Sequence, residues 1–324
     1  MFYPKFIQKY STLGITALSA GVGKKIDDYL LSLQRLEKES YQIVETKSVR
    51  VNNVRANTGE IRAQEFNELV EDPSIDMIIC AAGGDFLFET LPFIDWESIQ
   101  RNPKWIMGYS DPTTLLYTCT TKYDIATIYG LNGGSYDIDH PYVDMNLEYL
   151  KGNLMPQESY DWYQSTQNFL DGNLIYDQKV EWISSKNIDV RGRCIGGCID
   201  ALKDLIGTPF DGTLEFVQRY HEDGMIFYFD NFSMSAENLY RTLLQMKYAG
   251  YFETTKAVIL GRVCFENSET GMTYVEALKK ALDKIPFVVN ADIGHVIPRM
   301  TLINGAMMHL QVENHRGMIS FELI

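Results

Sequence analysis

The chain has 324 residues, 29 Lys+Arg against 43 Asp+Glu, and a formal net charge of −14. That length suggests about two domains, each able to bury its own core, and the acidity excludes nucleic acid or an anionic membrane surface as the main partner. An apolar fraction of 45% is ordinary globular usage, and no apolar run approaches the ~20 residues that span a bilayer, so no membrane partner is expected.

Near the N-terminus, Lys5 and Lys9 precede a weakly apolar stretch, residues 13–21, that has the look of a short signal peptide. The stretch is short and broken by Gly and Ser, which favours a first strand running into a glycine turn at Gly21-Val22-Gly23. Ile26, Tyr29, Leu30, Leu33 and Leu36 then recur at helical spacing, predicting a helix that ends near Glu39. A short strand at 41–44, a helix at 62–70, a strand-length apolar run at 75–82 and another strand at 105–108 follow. Such alternation predicts a largely parallel, doubly wound sheet with helices on both faces. Ligands of such sheets bind beyond the carboxyl ends of the strands.

Residues 148–187 are polar but carry Tyr149, Tyr160, Trp162, Tyr163, Phe169, Tyr176 and Trp182. Either a functional loop or a helical connector with packing aromatics accounts for that composition. The later part of the chain is richer in strands, at 225–230, 257–261, 286–290, 307–312 and 318–323. A helix is predicted over 236–248, with Ser235 as N-cap and Glu237 in its first turn. The division expected is an N-terminal α/β domain at 1–150, an aromatic-rich linker at 151–187, and a C-terminal β/α domain at 188–324.

The chemistry is sought at strand ends. Gly108-Tyr109-Ser110-Asp111-Pro112 joins a strand to a helix, and Pro suits the first helical turn. This is the layout of a nucleophile elbow with Pro112 in place of the last glycine, although plain N-capping by Ser110 also fits. A serine nucleophile needs a base, an orienting carboxylate and an oxyanion hole. Among His140, His221, His295, His309 and His315, only His295 stands just past a strand end and after a glycine. Asp230 ends the apolar run 225–229, so it either faces a partner there or caps a turn. Gly83 and Gly84 end another strand, where bare backbone N–H groups can approach substrate. Gly84 and Asp111 are the expected oxyanion donors.

No metal or cofactor is expected. The five cysteines are an odd number spread thinly, and Cys194 and Cys198 lack the CxxC spacing of a zinc or redox pair. They read as reduced thiols of a cytoplasmic protein. Asp137-Ile138-Asp139-His140 reads as a solvated acidic loop.

Several runs together resemble one family: Ala82-Gly83-Gly84-Asp85-Phe86, Leu91-Pro92-Phe93-Ile94-Asp95-Trp96, Gly108-Tyr109-Ser110-Asp111, Gly192-Arg193-Cys194-Ile195-Gly196-Gly197-Cys198, Gly207-Thr208-Pro209-Phe210, Ile259-Leu260-Gly261-Arg262 and Asp292-Ile293-Gly294-His295. They look like the L,D-carboxypeptidases, serine peptidase family S66, which includes the microcin C immunity peptidases. The resemblance implies a two-domain enzyme, commonly dimeric, with the active site between the domains. It implies a metal-free Ser–Glu–His triad falling on Ser110, Asp230 and His295, with Gly83 beside the substrate. Two positions depart from the pattern: Asp230 stands for glutamate, and Cys198 stands for the asparagine after the paired glycines. The implied substrate is a small peptide or peptide-nucleotide, either a muropeptide tetrapeptide of peptidoglycan recycling or a microcin-like aminoacyl-nucleotide. The aromatic segment leans toward the immunity branch. The alternative is a non-catalytic binding or regulatory protein on the same scaffold.

Overall fold

The stretch resembling a signal peptide forms strand β1, Thr12–Thr16, whose residues from Leu13 onward are buried. It pairs in parallel with strands on both sides, so it is an interior strand of a sheet, one place in from the β2 edge. The computed structural model describes residues 1–324 and divides into two units, Met1–Asn153 with Thr301–Asn304, and Leu154–Met300 with Gly305–Ile324.

In the first unit β1 is followed by α1 (Ile26–Lys38), β2 (Gln42–Glu45), α2 (Gly59–Glu71), β3 (Met77–Cys80), α3 (Trp96–Arg101), β4 (Trp105–Gly108), α4 (Thr113–Tyr123), β5 (Thr127–Tyr129) and α5 (Pro141–Leu150). The predicted spacing of α1 is realised in part: Tyr29, Leu33 and Leu36 are buried, each worth about 1.5–3 kcal/mol for an apolar side chain of that size, whereas Ile26 is half-buried and Leu30 exposed. Helix α2 starts three residues earlier than its apolar period suggests, because the Thr58 hydroxyl accepts from the Ile61 N–H and caps it. Strands β2, β1, β3, β4 and β5 lie side by side in parallel. A sixth strand, Leu302–Asn304, joins β5 antiparallel. All residues of β3 and β4 are buried, as the near-continuous apolar runs of a sheet covered on both faces require.

The second unit contains β6 (Gln157–Glu158), β7 (Trp162–Gln164), α6 (Thr166–Asp171), β8 (Tyr176–Lys179), β9 (Ile183–Ser184), β10 (Ile188–Cys198), α7 (Ile199–Leu202), α8 (Thr213–Arg219), β11 (Met225–Asp230), α9 (Ala236–Tyr248), β12 (Thr255–Gly261), α10 (Tyr274–Leu282) and β13 (Phe287–Ala291). After β14, the Leu302–Asn304 strand already placed in the first sheet, come β15 (Met307–Glu313) and β16 (Arg316–Glu322). The eight-stranded sheet runs β6-β16-β15-β10-β11-β12-β13-β9. Its centre, β10 to β13, is parallel, and the flanking pairings are antiparallel. Ser235 caps α9 through the Asn238 N–H, as predicted. The architecture is therefore two α/β units, each with a parallel-rich sheet.

Candidate active site

Strand β4 ends at Gly108, and α4 begins five residues later. The turn between them is tight because Ser110 is left-handed, φ 71°, a conformation that costs a non-glycine residue about 1–3 kcal/mol. The surroundings hold it. The Ser110 N–H donates to the Tyr129 hydroxyl at 3.3 Å. The Asn132 amide accepts from the Tyr109 N–H at 3.1 Å and donates to its carbonyl at 3.3 Å.

Of the glycine pair beyond β3, Gly83 lies against this turn and Gly84 against Ser19 and Ala20. A Cβ on Gly83 would fall 2.9 Å from Ser110 Oγ, and one on Gly84, at φ +141°, would fall 2.3 Å from Ser19 Oγ. Only glycine permits both approaches. The backbone N–H groups of Gly84 and Asp111 donate to no acceptor of the chain. The Asp111 side chain is buried and accepts from the Ser19 hydroxyl at 2.5 Å and the Leu87 N–H at 2.8 Å. Ser19 Oγ in turn accepts from the Phe86 N–H at 3.1 Å. Burial raises the Asp111 carboxyl above the ordinary aspartate range, against the lowering effect of those hydrogen bonds. Beside the turn opens a cavity of about 300 Å³, lined by Lys24, Lys25, Gly83, Tyr109, Asn132 and Ser135 among others, with no acidic residue on its wall.

The second unit holds the other cluster. Asp230, the last residue of β11, is fully buried. Its Oδ2 lies 2.8 Å from His295 Nδ1, and its Oδ1 accepts from the His295 backbone N–H at 3.2 Å. Of the two roles weighed for Asp230, these contacts to His295 are those of a residue facing a partner. The Phe232 ring centre is 4.6 Å from that of His295. Cys198 is paired with Asp230 across β10 and β11. Burial, with the charges of Asp230 and Asp200, holds the Cys198 thiol well above its usual range.

Residues 13–130 match the LD-carboxypeptidase N-terminal domain, and 191–310 match the C-terminal domain of the same family. The chain belongs to the LD-carboxypeptidase family, S66. This S66 chain is 27% identical over 306 residues to the microcin C7 self-immunity protein MccF of Escherichia coli, covering 88% of this chain and 86% of that protein. The structure of MccF in complex with aspartyl sulfamoyl adenosine superposes with a TM-score of 0.82 at 25% identity over the whole of both chains. The fold is also that of a muramoyltetrapeptide carboxypeptidase from Oxalobacter formigenes, with a TM-score of 0.75 at 18% identity over 96% of this chain and 98% of that one.

Other histidines of this LD-carboxypeptidase chain have structural partners. His140 caps α5 by accepting from the Tyr142 N–H at 3.2 Å, a tighter role than the solvated loop expected of it. His309 Nε2 lies 2.7 Å from Asp189, and His221 Nδ1 lies 3.0 Å from the Gln218 carbonyl. Sequence reasoning missed the support of the 292–295 loop. Arg262 meets Asp292 Oδ1 at 2.5 Å and donates to the Pro298 carbonyl at 2.6 Å. Asp292 Oδ2 accepts from the Trp182 indole at 2.8 Å and the Tyr160 N–H at 3.2 Å. The available signal was an arginine directly after the strand-end Gly261, in a run otherwise apolar.

Proposed function

We propose that the chain is a serine peptidase of the L,D-carboxypeptidase type, acting in the cytoplasm as a homodimer on a small peptide or aminoacyl-nucleotide. The observation that carries this reading is Ser110 held at φ 71° on a strand-to-helix turn, with Gly83 of a neighbouring strand end against it. A side chain on a turn of that kind stands clear of its own backbone, as a nucleophile must.

Ser110 Oγ attacks the carbonyl carbon of the scissile bond while His295 Nε2 takes its proton. Asp230, facing Nδ1, keeps the ring in the tautomer that carries its lone pair on Nε2, and favours the imidazolium that forms. The N–H groups of Gly84 and Asp111 receive the oxyanion, and Gly83 lets substrate lie against the serine; one such donor is typically worth about 10²–10³ in turnover. His295 returns the proton to the leaving amine. Water, deprotonated by the same histidine, then attacks the acyl-enzyme and releases Ser110. The lysine-rimmed cavity beside Tyr109 suits a substrate with a carboxylate or phosphate-like group. Both the muropeptide and the aminoacyl-nucleotide classes have one.

The test is mass spectrometry after incubation with L-alanyl-D-glutamyl-diaminopimelyl-D-alanine and, separately, with an aminoacyl sulfamoyl adenosine, each beside Ser110→Ala. Release of D-alanine or of the sulfamoyl adenosine by the wild-type chain alone is the expected result and names the branch. Cleavage of neither, or cleavage that survives in Ser110→Ala, overturns the reading.

A further inference from the structure

Three metal-ligand side chains converge at the carboxyl ends of β10 and β11. Cys198 Sγ, a carboxylate oxygen of Asp230 and a ring nitrogen of His295 all lie within 4.8 Å of one another. We propose that these three residues form a binding site for a thiophilic divalent cation, with zinc as the natural occupant, and that occupancy switches the hydrolytic centre off. The inhibitory part rests on the function proposed above; the binding part does not.

The donor set is the first argument. Thiolate, imidazole and carboxylate are the ligands zinc takes, at about 2.3 Å for sulfur and about 2.0–2.2 Å for nitrogen and oxygen. Tetrahedral placement of such bonds separates ligand atoms by roughly 3.5 Å, so atoms within 4.8 Å of one another close by at most about 1.3 Å, while Nδ1 and Oδ2, at 2.8 Å, open slightly. That closure falls on side chains rather than on strands. Cys198 and Asp230 are already neighbours in parallel register, and the ring nitrogen Nδ1 is 2.8 Å from Asp230 Oδ2.

Charge is the second argument. Asp230 is fully buried, and a second carboxylate, Asp200, stands 3.8 Å from Cys198 Sγ. Asp200 is fixed there by accepting from the Phe232 and Ser233 N–H groups at 2.9 and 3.1 Å. Two anions around a thiol disfavour a lone thiolate and favour a thiolate that shares a dication. The entering cation displaces the thiol proton to solvent. His295, the most exposed of the three at 11% of its side chain, marks the way in.

The consequence for the histidine follows from its two nitrogens. A neutral imidazole bound to metal through Nδ1 carries its proton on Nε2. It then has no lone pair with which to accept the Ser110 proton. Zinc would also take the Asp230 oxygen that orients the ring.

Cobalt(II) titration of the metal-stripped full-length protein tests binding without any substrate. One equivalent should give a near-ultraviolet sulfur-to-cobalt charge-transfer band and tetrahedral visible bands, both bleached by zinc. Cys198→Ser should lose the charge-transfer band, with folding checked by circular dichroism, and Cys198→Asn serves if the serine variant misfolds. Absence of the band in the wild-type chain, or its persistence in the folded Cys198 variant, overturns the site, since another buried cysteine would then be the ligand. With whichever substrate is cleaved, zinc should inhibit the wild-type chain at least ten-fold more strongly than the Cys198 variant. Equal sensitivity would overturn the inhibitory role. If no substrate is cleaved, the cobalt spectra still decide the site while the function itself falls.

Discussion

A Cβ placed on Gly294 would lie 2.0 Å from Asp230 Oδ1, so the loop carrying His295 reaches the end of β11 only because residue 294 has no side chain. Gly294 is also at φ +101°, in the region other residues avoid. The close approach is what lets one carboxylate hold both the backbone and the ring of His295.

Gly294→Ala should therefore damage position before it damages fold. The left-handed backbone alone predicts a loss of about 1–3 kcal/mol in urea unfolding. If the His295 ring moves by as much as ~1 Å, kcat should fall about 10²-fold with KM little changed. A variant with wild-type kcat would show that the Asp230–His295 contact does not set the rate.

The same packing decides the sign of Asp230→Glu. The residue is fully buried, with Cys198, Gly294 and His295 against it, so an added methylene has no free volume to enter. Overpacking of this kind costs about 1–3 kcal/mol. Activity should drop, showing that the surroundings are fitted to aspartate. A rise in kcat would instead mean that the shorter acid is a handicap the chain tolerates.

Much of this was readable in the sequence where apolar runs met Gly, Pro or Ser. Strands β4 and β11 stand out because their buried residues are continuous, and α9 because Ser235 and Glu237 announce its start. Strand β10 did not stand out. Its buried run, Gly192 to Cys198, sets Cys194 and Ile195 among Arg193 and three glycines with no apolar period, and its pairing with β11 and β15 supplies the order its own residues do not. Asp230 and His295 were visible as the polar ends of apolar runs. The Arg262–Asp292–Trp182 support was not, since its members come from separate segments and meet only in the folded unit.

Asp111 offers a test through pH. Burial raises its folded carboxyl pKa above the unfolded value of about 3.9. The folded state therefore holds the proton more tightly, and this group's contribution to stability is greatest below the unfolded value. It is lost as pH rises from there through the folded one. Asp111→Asn cannot ionise, and its side-chain oxygen can still accept from Ser19 and Leu87. In urea unfolding, the variant should gain on the wild type as pH rises through that window and hold a constant difference above it. A pH-independent difference would mean that the carboxylate is fully compensated by its hydrogen bonds.

Arg262 and Asp292 are both buried and joined at 2.5 Å. Breaking such a pair leaves one uncompensated charge and costs about 3–5 kcal/mol, whereas removing both charges can be nearly neutral. Asp292→Ala should lose stability on that scale, and adding Arg262→Met should restore much of it. Activity should not follow. The Asp292 carboxylate also anchors the loop to the Trp182 indole and the Tyr160 N–H, and neither tie returns with the second substitution. The double variant should therefore be folded and stable, yet retain a lowered kcat with an unchanged KM, because His295 is no longer fixed from behind. If kcat recovers together with stability, Asp292 serves only to neutralise Arg262, and the positioning of His295 rests on Asp230 alone.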